Sequence, residues 1–425
     1  MTEQSTHKHR NTKGLFRTLF HLKGNPRACV YTEPLWGIPY SLYAPFVTVY
    51  MYAMGVFDAQ IGLLLSIGMI FQVIAAIVGG IVTDKLGRRL TTIIFDTISW
   101  SIPALLWAFA QNFWWFFAAV IFNSAWQITN NSWNCLLVED CDESLLVNVY
   151  TWVHIAGLIA VFFAPISAFF VEHYTMVKTV RVLYLITFVS MTLKFIILYR
   201  WTSETEMGIQ RKRETASIPM KRMLLDYRHV LTQIMKTPHT LYLIAFLVFF
   251  NIGSLVTTNF FGLYITKNLD IPEHFLAVFP MIRAAIILVF MLFLQDRFNR
   301  YSFKIMMALG LFLYFLANLL LIAAPEENLI YLFIYAAVEA IAFTLVNPRR
   351  DSMLVWFVDK EERARVNGVI YVLMIGFSIP FGWISGLLSS WNRVLPFILN
   401  MAVYLFCVIM ILRSGFLNDQ RDEVQ

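Results

Sequence analysis

Gly80-Ile81-Val82-Thr83-Asp84-Lys85-Leu86-Gly87-Arg88-Arg89 closes one long apolar run, and Leu90 opens the next. A carboxylate, two glycines and three cations are packed into a turn between segments long enough to cross a bilayer. Glycine lets backbones turn tightly and approach closely. A carboxylate at a helix end pairs with a cation or with free N–H groups of another helix. A merely basic loop would account for Lys85, Arg88 and Arg89, but not for Gly80, Asp84 and Gly87.

The rest of the chain fits such a setting. Of 425 residues, 59% are hydrophobic and 14% charged, against roughly 45–50% and 25% in soluble domains. An ordinary soluble protein is thereby excluded. The polar, basic stretch from His7 to Arg27 lacks the early apolar core of a signal peptide. Cys29, Cys135, Cys141 and Cys407 are scattered, with neither metal-ligand nor disulfide spacing, so no metal and no cofactor is expected. The net charge of +6 is spread over alternate loops, a membrane-topology pattern that argues against a nucleic-acid partner.

Apolar runs fall at about 29–54, 59–83, 90–110, 113–138, 147–171, 179–201, 239–266, 273–295, 302–324, 328–356, 366–390 and 394–413. Each approaches or exceeds the ~20 residues that a span needs, so twelve spans are expected. Lys178, Arg181, Lys267 and Arg393 are the only cations in one set of alternate loops, which places both termini in the cytoplasm. The expected organisation is a tail over 1–27, a six-helix bundle over 28–201, a linker over 202–238, a second bundle over 239–414 and a tail over 415–425. In the first tail Leu15, Phe16, Leu19 and Phe20 share a helical face, which suits a short interfacial helix or a disordered basic tail. In the linker, Met220, Leu224, Tyr227, Leu231 and Ile234 recur at helical spacing among cations.

The Gly80–Arg89 stretch resembles the loop between the second and third helices of the major facilitator superfamily: Gly, three residues, Asp, two residues, Gly, Arg, then Arg or Lys. Gly80, Asp84, Gly87, Arg88 and Arg89 meet each defined position. Asp296-Arg297-Phe298-Asn299-Arg300 resembles a second copy. Asp140, Glu143 and Asn148 recur at the same spacing as Asp359, Glu362 and Asn367, as expected of duplicated halves. The resemblance covers about 28–414. It implies an all-α membrane protein of two pseudo-symmetric bundles that rock about a central solute site. It also implies a latch from Asp84, Arg88 and Arg89 to the start of span eleven, after Lys360. Asp296, Arg297 and Arg300 would form its counterpart against span five.

In that superfamily spans one, four, seven and ten line the cavity. Span four is amide-rich: Asn123, Gln127, Asn131 and Asn134 step by three or four residues and share a face of one continuous helix. Amides in hydrocarbon need partners, so this face meets water, solute or another helix. Interleaved Trp126 adds a flat apolar surface, and the resemblance places Asn251 and Tyr371 at the same cavity. Ionisable residues within spans are functional candidates by default. Glu339 and Arg283 sit near mid-depth and are expected to pair, with Glu339 the first candidate for proton coupling. Glu33, beside Pro34, is the second. Asp96 is expected to partner Arg88 or Arg89, and Lys194 to reach towards the membrane surface.

These residues predict a secondary transporter in the cell membrane, working as a monomer on a small organic solute by alternating access. Protons are the expected coupling ion, and no Gly-x-x-x-x-Gly-Lys-Ser/Thr pattern marks an ATP motor. Pro165 sits where superfamily exporters carry a Gly-rich Pro motif, although Phe169 departs from it. Export of amphipathic compounds, symport or uniport of a sugar or organic anion, and a non-transporting receptor are the readings left open. Paired catalytic carboxylates at mid-depth are lacking, so no enzyme is expected.

Overall fold

The computed structural model describes residues 12–142, 145–223, 237–298, 300–356 and 363–415. Side chains at 12–16, 147, 296, 355–356 and 363–367 lie outside that description. So do Glu143, Asp359, Glu362 and most of the expected amphipathic linker helix.

The described chain is helical. α1 is Thr12–His21, α2 Gly24–Thr32, α3 Pro34–Tyr43, α4 Val47–Ala53, α5 Asp58–Leu86, α6 Arg88–Asp96 and α7 Ile102–Ala108. Next come α8 Phe113–Asn123, α9 Trp126–Val138, α10 Leu146–Val161, α11 Ala164–His173, α12 Met176–Trp201 and α13 Glu206–Thr215. The remainder comprises α14 Pro238–Lys267, α15 Val278–Phe293, α16 Phe303–Ile322, α17 Leu329–Trp356, α18 Arg363–Trp391 and α19 Leu395–Arg413.

Ten helical stretches among the described residues are long and apolar enough to cross a membrane. The expected runs 29–54 and 113–138 are not among these ten, and both are broken. The run 29–54 is divided at Glu33 and again by a 3-10 turn, Ala44–Phe46, because Pro34 and Pro45 remove backbone donors and crowd the preceding turn. The run 113–138 is divided at Ser124–Ala125, where Ser124 Oγ donates back to Val120 O at 2.7 Å and across to Gly68 O at 3.1 Å.

Where proline removes a donor, a neighbouring side chain supplies one. Pro103 leaves Ser99 O without its helical partner, the helix widens to π geometry over Thr97–Ser101, and Asn123 Nδ2 donates to that oxygen at 2.8 Å. Pro39 does the same to Leu35 O, which receives Ser190 Oγ at 2.7 Å. Each proline thus specifies a helix–helix contact as well as a bend.

Among the described residues, the two halves share a core at one end. There Tyr43, Phe46, Val49 and Tyr184 pack in one cluster with Val256, Phe260, Tyr264 and Phe397. Towards the other end the core divides: Cys29, Leu136 and Phe195 belong to the first half, and Phe246, Leu311 and Met353 to the second. The halves meet at one end and part at the other.

The crossing of α5 and α18 carries the joined end. A Cβ on Gly62 would lie 2.6 Å from both Gly382 O and Gly386 Cα, so the backbones touch and only glycine fits. Ser66 enters the α18 ladder, its Oγ accepting from Trp383 N–H at 2.8 Å and donating to Ile379 O at 2.5 Å. At the tip of α5 the buried carboxylate of Asp58 accepts from Ser389 Oγ at 2.6 Å and from Arg393 Nε at 3.1 Å. The Arg393 guanidinium lies 5.2 Å from the centre of the Tyr52 ring.

Candidate functional site

The Gly80–Arg89 stretch forms the turn between α5 and α6. Gly87 has φ +92° and serves both as the end of α5 and the start of α6. A Cβ there would come 2.4 Å from a carboxylate oxygen of Glu204, which accepts from Arg88 N–H at 2.7 Å and Arg89 N–H at 3.2 Å. An acidic side chain thus occupies the positive end of α6. Arg88 is buried between Asp84, 3.1 Å away, and Glu139, 3.0 Å away. Arg89 Nη2 donates to Tyr199 O at 2.5 Å. Gly79, next to the half-buried Gly80, is where α5 nears α9, 3.1 Å from Ile128 Cα by the same Cβ test.

The expected partner segment after Lys360 lies outside the described residues. Within the described residues, the motif's acidic partners are its own Asp84 together with Glu139 and Glu204, all in the first half or the segment that follows it. In the second copy, Arg297 and Arg300 are exposed and form no ion pair among the described residues, and the Asp296 side chain is not described. Buried Arg349 donates instead to Phe298 O at 3.3 Å and to Leu345 O at 2.8 Å.

The amide face is divided by the break at Ser124–Ala125. The expectation that Asn123 joins Gln127, Asn131 and Asn134 on one helix face is therefore corrected: Asn123 belongs to α8 and satisfies Ser99 O. Gln127 is buried, and its Nε2 donates to Tyr371 Oη on α18, a polar bond between the halves. Asn131 is exposed without a side-chain hydrogen bond among the described residues, and Asn134 Nδ2 donates to Asn130 O at 2.6 Å. Trp126 is half-buried at the start of α9. Asn251 Nδ2 donates to Ser378 Oγ at 3.0 Å, which ties α14 to α18, the helix that carries Gln127's partner.

Arg283 and Glu339 form the expected pair, Nε on Oε2 at 2.5 Å and Nη2 on Oε1 at 3.2 Å. The fork-on-fork geometry suits guanidinium and carboxylate. Glu339 is buried, whereas the Arg283 side chain keeps 38% of its surface. The guanidinium lies 4.5 Å from the centre of the Phe343 ring and within electrostatic reach of Tyr314 and Tyr335. Arg350, which nothing in the spacing marks, lies 5.6 Å from the Phe250 ring centre and pairs with Asp351.

A second ionic group occupies the first half, at the α2–α3 break. Lys194 Nζ of α12 donates to Glu33 Oε2 at 3.0 Å, and both residues are buried. Asp96 at the end of α6, also buried, stands near Thr129 and in the field of Lys194 and Glu33. Two expectations are corrected here. Lys194 turns to buried Glu33 rather than to the surface, and Asp96 does not partner Arg88 or Arg89, because Arg88 is taken by Asp84 and Glu139 and Arg89 donates to Tyr199 O. Trp36 and Trp133 flank the ammonium, with ring centres 6.0 and 5.9 Å away. Cys29 is a further titratable neighbour.

Comparison with known proteins follows the same lines. The profile of the MFS_1 like family matches residues 40–399. No curated protein sequence matches the chain. Among solved structures, the nucleoside transporter NupG has a TM-score of 0.69 at 16% identity, covering 93% of this chain and 99% of that one. A POT family transporter in complex with 5-aminolevulinic acid has 0.69 at 13%, covering 91% and 95%. A mutant of the peptide transporter POT has 0.70 at 10%, covering 95% and 98%. At these identities the likeness is one of fold.

Proposed function

Because the chain belongs to the MFS_1-like family, and is a multi-pass membrane transporter rather than an enzyme, we propose that it moves a small organic solute by alternating access coupled to protons. The observation that carries the coupling is the group formed by Glu33, Lys194 and Asp96. Lys194 pairs with Glu33 at 3.0 Å, and a second buried carboxyl, Asp96, stands in the field of that pair; uncompensated charge in such surroundings is costly. The group is neutral only with one proton retained on a carboxyl. Arg283 with Glu339 is neutral when both are ionised and needs no retained proton.

The reading therefore shifts the first coupling candidate from Glu339 to Glu33 and Asp96. Glu339 becomes the counter-ion of Arg283, and the partly exposed guanidinium becomes the anchor for an anionic group of the solute. Gln127 and Tyr371 hydrogen-bond across the halves, Asn131 and Asn251 offer amides to the solute, and Trp126 an apolar face. The cation asymmetry places both termini in the cytoplasm. The parted end of the bundle then opens inward, and the α5–α18 crossing closes the outside. Export remains the second reading, favoured by Pro165 in the first turn of α11.

The test is solute-driven proton movement in proteoliposomes. Organic anions, sugars and lipophilic cations form the screen, together with nucleosides and peptides, the solutes named for transporters of similar fold. A pH change driven by one class, with the sign of its gradient, supports the reading and separates import from export. Solute uptake without any proton movement would make the protein a uniporter and overturn the coupling.

A further inference from the structure

Outside the central site, an open pocket of 510 Å³ lies where the α5–α6 turn meets α13. Arg89, Lys212 and Arg213 supply its cations, and Leu86, Leu90 and Ile209 its apolar rim. Those three apolar side chains are 39, 40 and 44% exposed. The single carboxylate in the wall, Glu204, already accepts the N–H groups of Arg88 and Arg89 and does not neutralise the pocket. Lys212 and Arg213 form no ion pair among the described residues, although their neighbour Arg211 pairs with Glu214 at 3.2 Å. The buried Nε of Arg89 also has no acceptor among the described residues.

Position decides what such a pocket takes. Leu86 ends one apolar helix and Leu90 lies in the first turn of the next, both long enough to cross a membrane. The pocket therefore sits at headgroup depth, with cations towards water and leucines towards the acyl layer. α13 is held there by Lys85, whose Nζ donates to Thr215 O at 3.0 Å and Ile218 O at 2.8 Å. A free anion would use the cations and gain nothing from the apolar rim. An anionic phospholipid uses both.

We infer that this pocket binds the phosphodiester headgroup of an anionic phospholipid, with its acyl chains lying along Leu86 and Leu90. Bound there, the lipid ties α13, and with it the segment joining the halves, to the α5–α6 turn.

The experiment is thermal unfolding of the full chain in neutral detergent, titrated with phosphatidylglycerol, phosphatidylcholine or inorganic phosphate. Phosphatidylglycerol is expected to raise the unfolding midpoint by several degrees, and the other two to leave it in place. The double variant Lys212→Gln, Arg213→Gln should need roughly thirtyfold more phosphatidylglycerol for half the effect, whereas Arg211→Gln on the same helix should titrate like the parent. Equal midpoint shifts with inorganic phosphate would make this a free-anion site and overturn the lipid assignment. Indifference to phosphatidylglycerol, or an unchanged titration of the double variant, would overturn the site itself.

Discussion

Glu33 stands where the first run ceases to be one helix, because Pro34 follows it, and the break leaves its carboxylate facing Lys194. Removing one member of a buried pair strands its partner, at a cost of about 3–5 kcal/mol. Lys194→Met, which abandons two carboxyls, is therefore expected to lower the unfolding midpoint in detergent clearly. Glu33→Gln leaves one carboxylate for one ammonium and should destabilise far less. The functional prediction separates the two ionic groups. Glu33→Gln should flatten the pH dependence of transport, whereas Glu339→Gln should raise the KM for an anionic solute and leave the pH profile in place. The opposite assignment of effects would return the coupling role to Glu339. Lys194 and Asp96 were misread from sequence because their partners lie far away in the chain, and only the α2–α3 break brings Glu33 to them. Arg283 and Glu339 were legible, since both sit near mid-depth of apolar runs with few other charges to meet.

The α5–α18 crossing is built from absences of side chain. Gly62, Gly382 and Gly386 let the backbones touch, and Ser66 fills the ladder gap near Pro380. Gly386→Leu would drive a side chain into Asp58 O and Gly62, and is expected to open this end without unfolding either half. Ser66→Ala removes one acceptor and one donor, so a smaller effect of about 1–3 kcal/mol follows. Accessibility of a cysteine at Val49, fully buried in the core that the halves share, to an impermeant thiol reagent checks both, Gly386→Leu reacting faster than Ser66→Ala, and both faster than the parent. Equal labelling in all three would remove the crossing as the closing element. Sequence made the existence of these helices plain, because long apolar runs admit little else. It concealed their breaks: nothing in Asn123, Gln127, Asn131 and Asn134 announces that Ser124 ends one helix and starts another. It concealed the crossing too, since glycine spacing does not name its partner.

At the scale of the molecule, two carboxylates at opposite ends of α5 hold different things. Asp58 ties the first half to the second through Ser389 and Arg393. Asp84, with Arg88, Glu139 and Glu204, is engaged within the first half and its following segment. The closed end is thus clamped between halves, and the motif end is not, among the described residues. A transporter needs both arrangements, and each clamp biases the equilibrium by what it gains in one state alone. The motif was legible down to each residue because glycine, carboxylate and arginine have few other reasons to share that spacing. Asp58 and Arg393 were not, as a carboxylate at a helix start and a cation in a short loop both read as ordinary surface.

Pulsed dipolar distances between spin labels test the account most directly. One pair spans the closed end, at positions 57 and 391, and the other the parted end, at 199 and 305, in a background lacking the native cysteines. Asp58→Asn is predicted to lengthen the first distance and shorten the second, and Asp84→Asn to favour the parent's distribution. Two distances that stay fixed in Asp58→Asn, or that lengthen together, would contradict halves that rock about a central site.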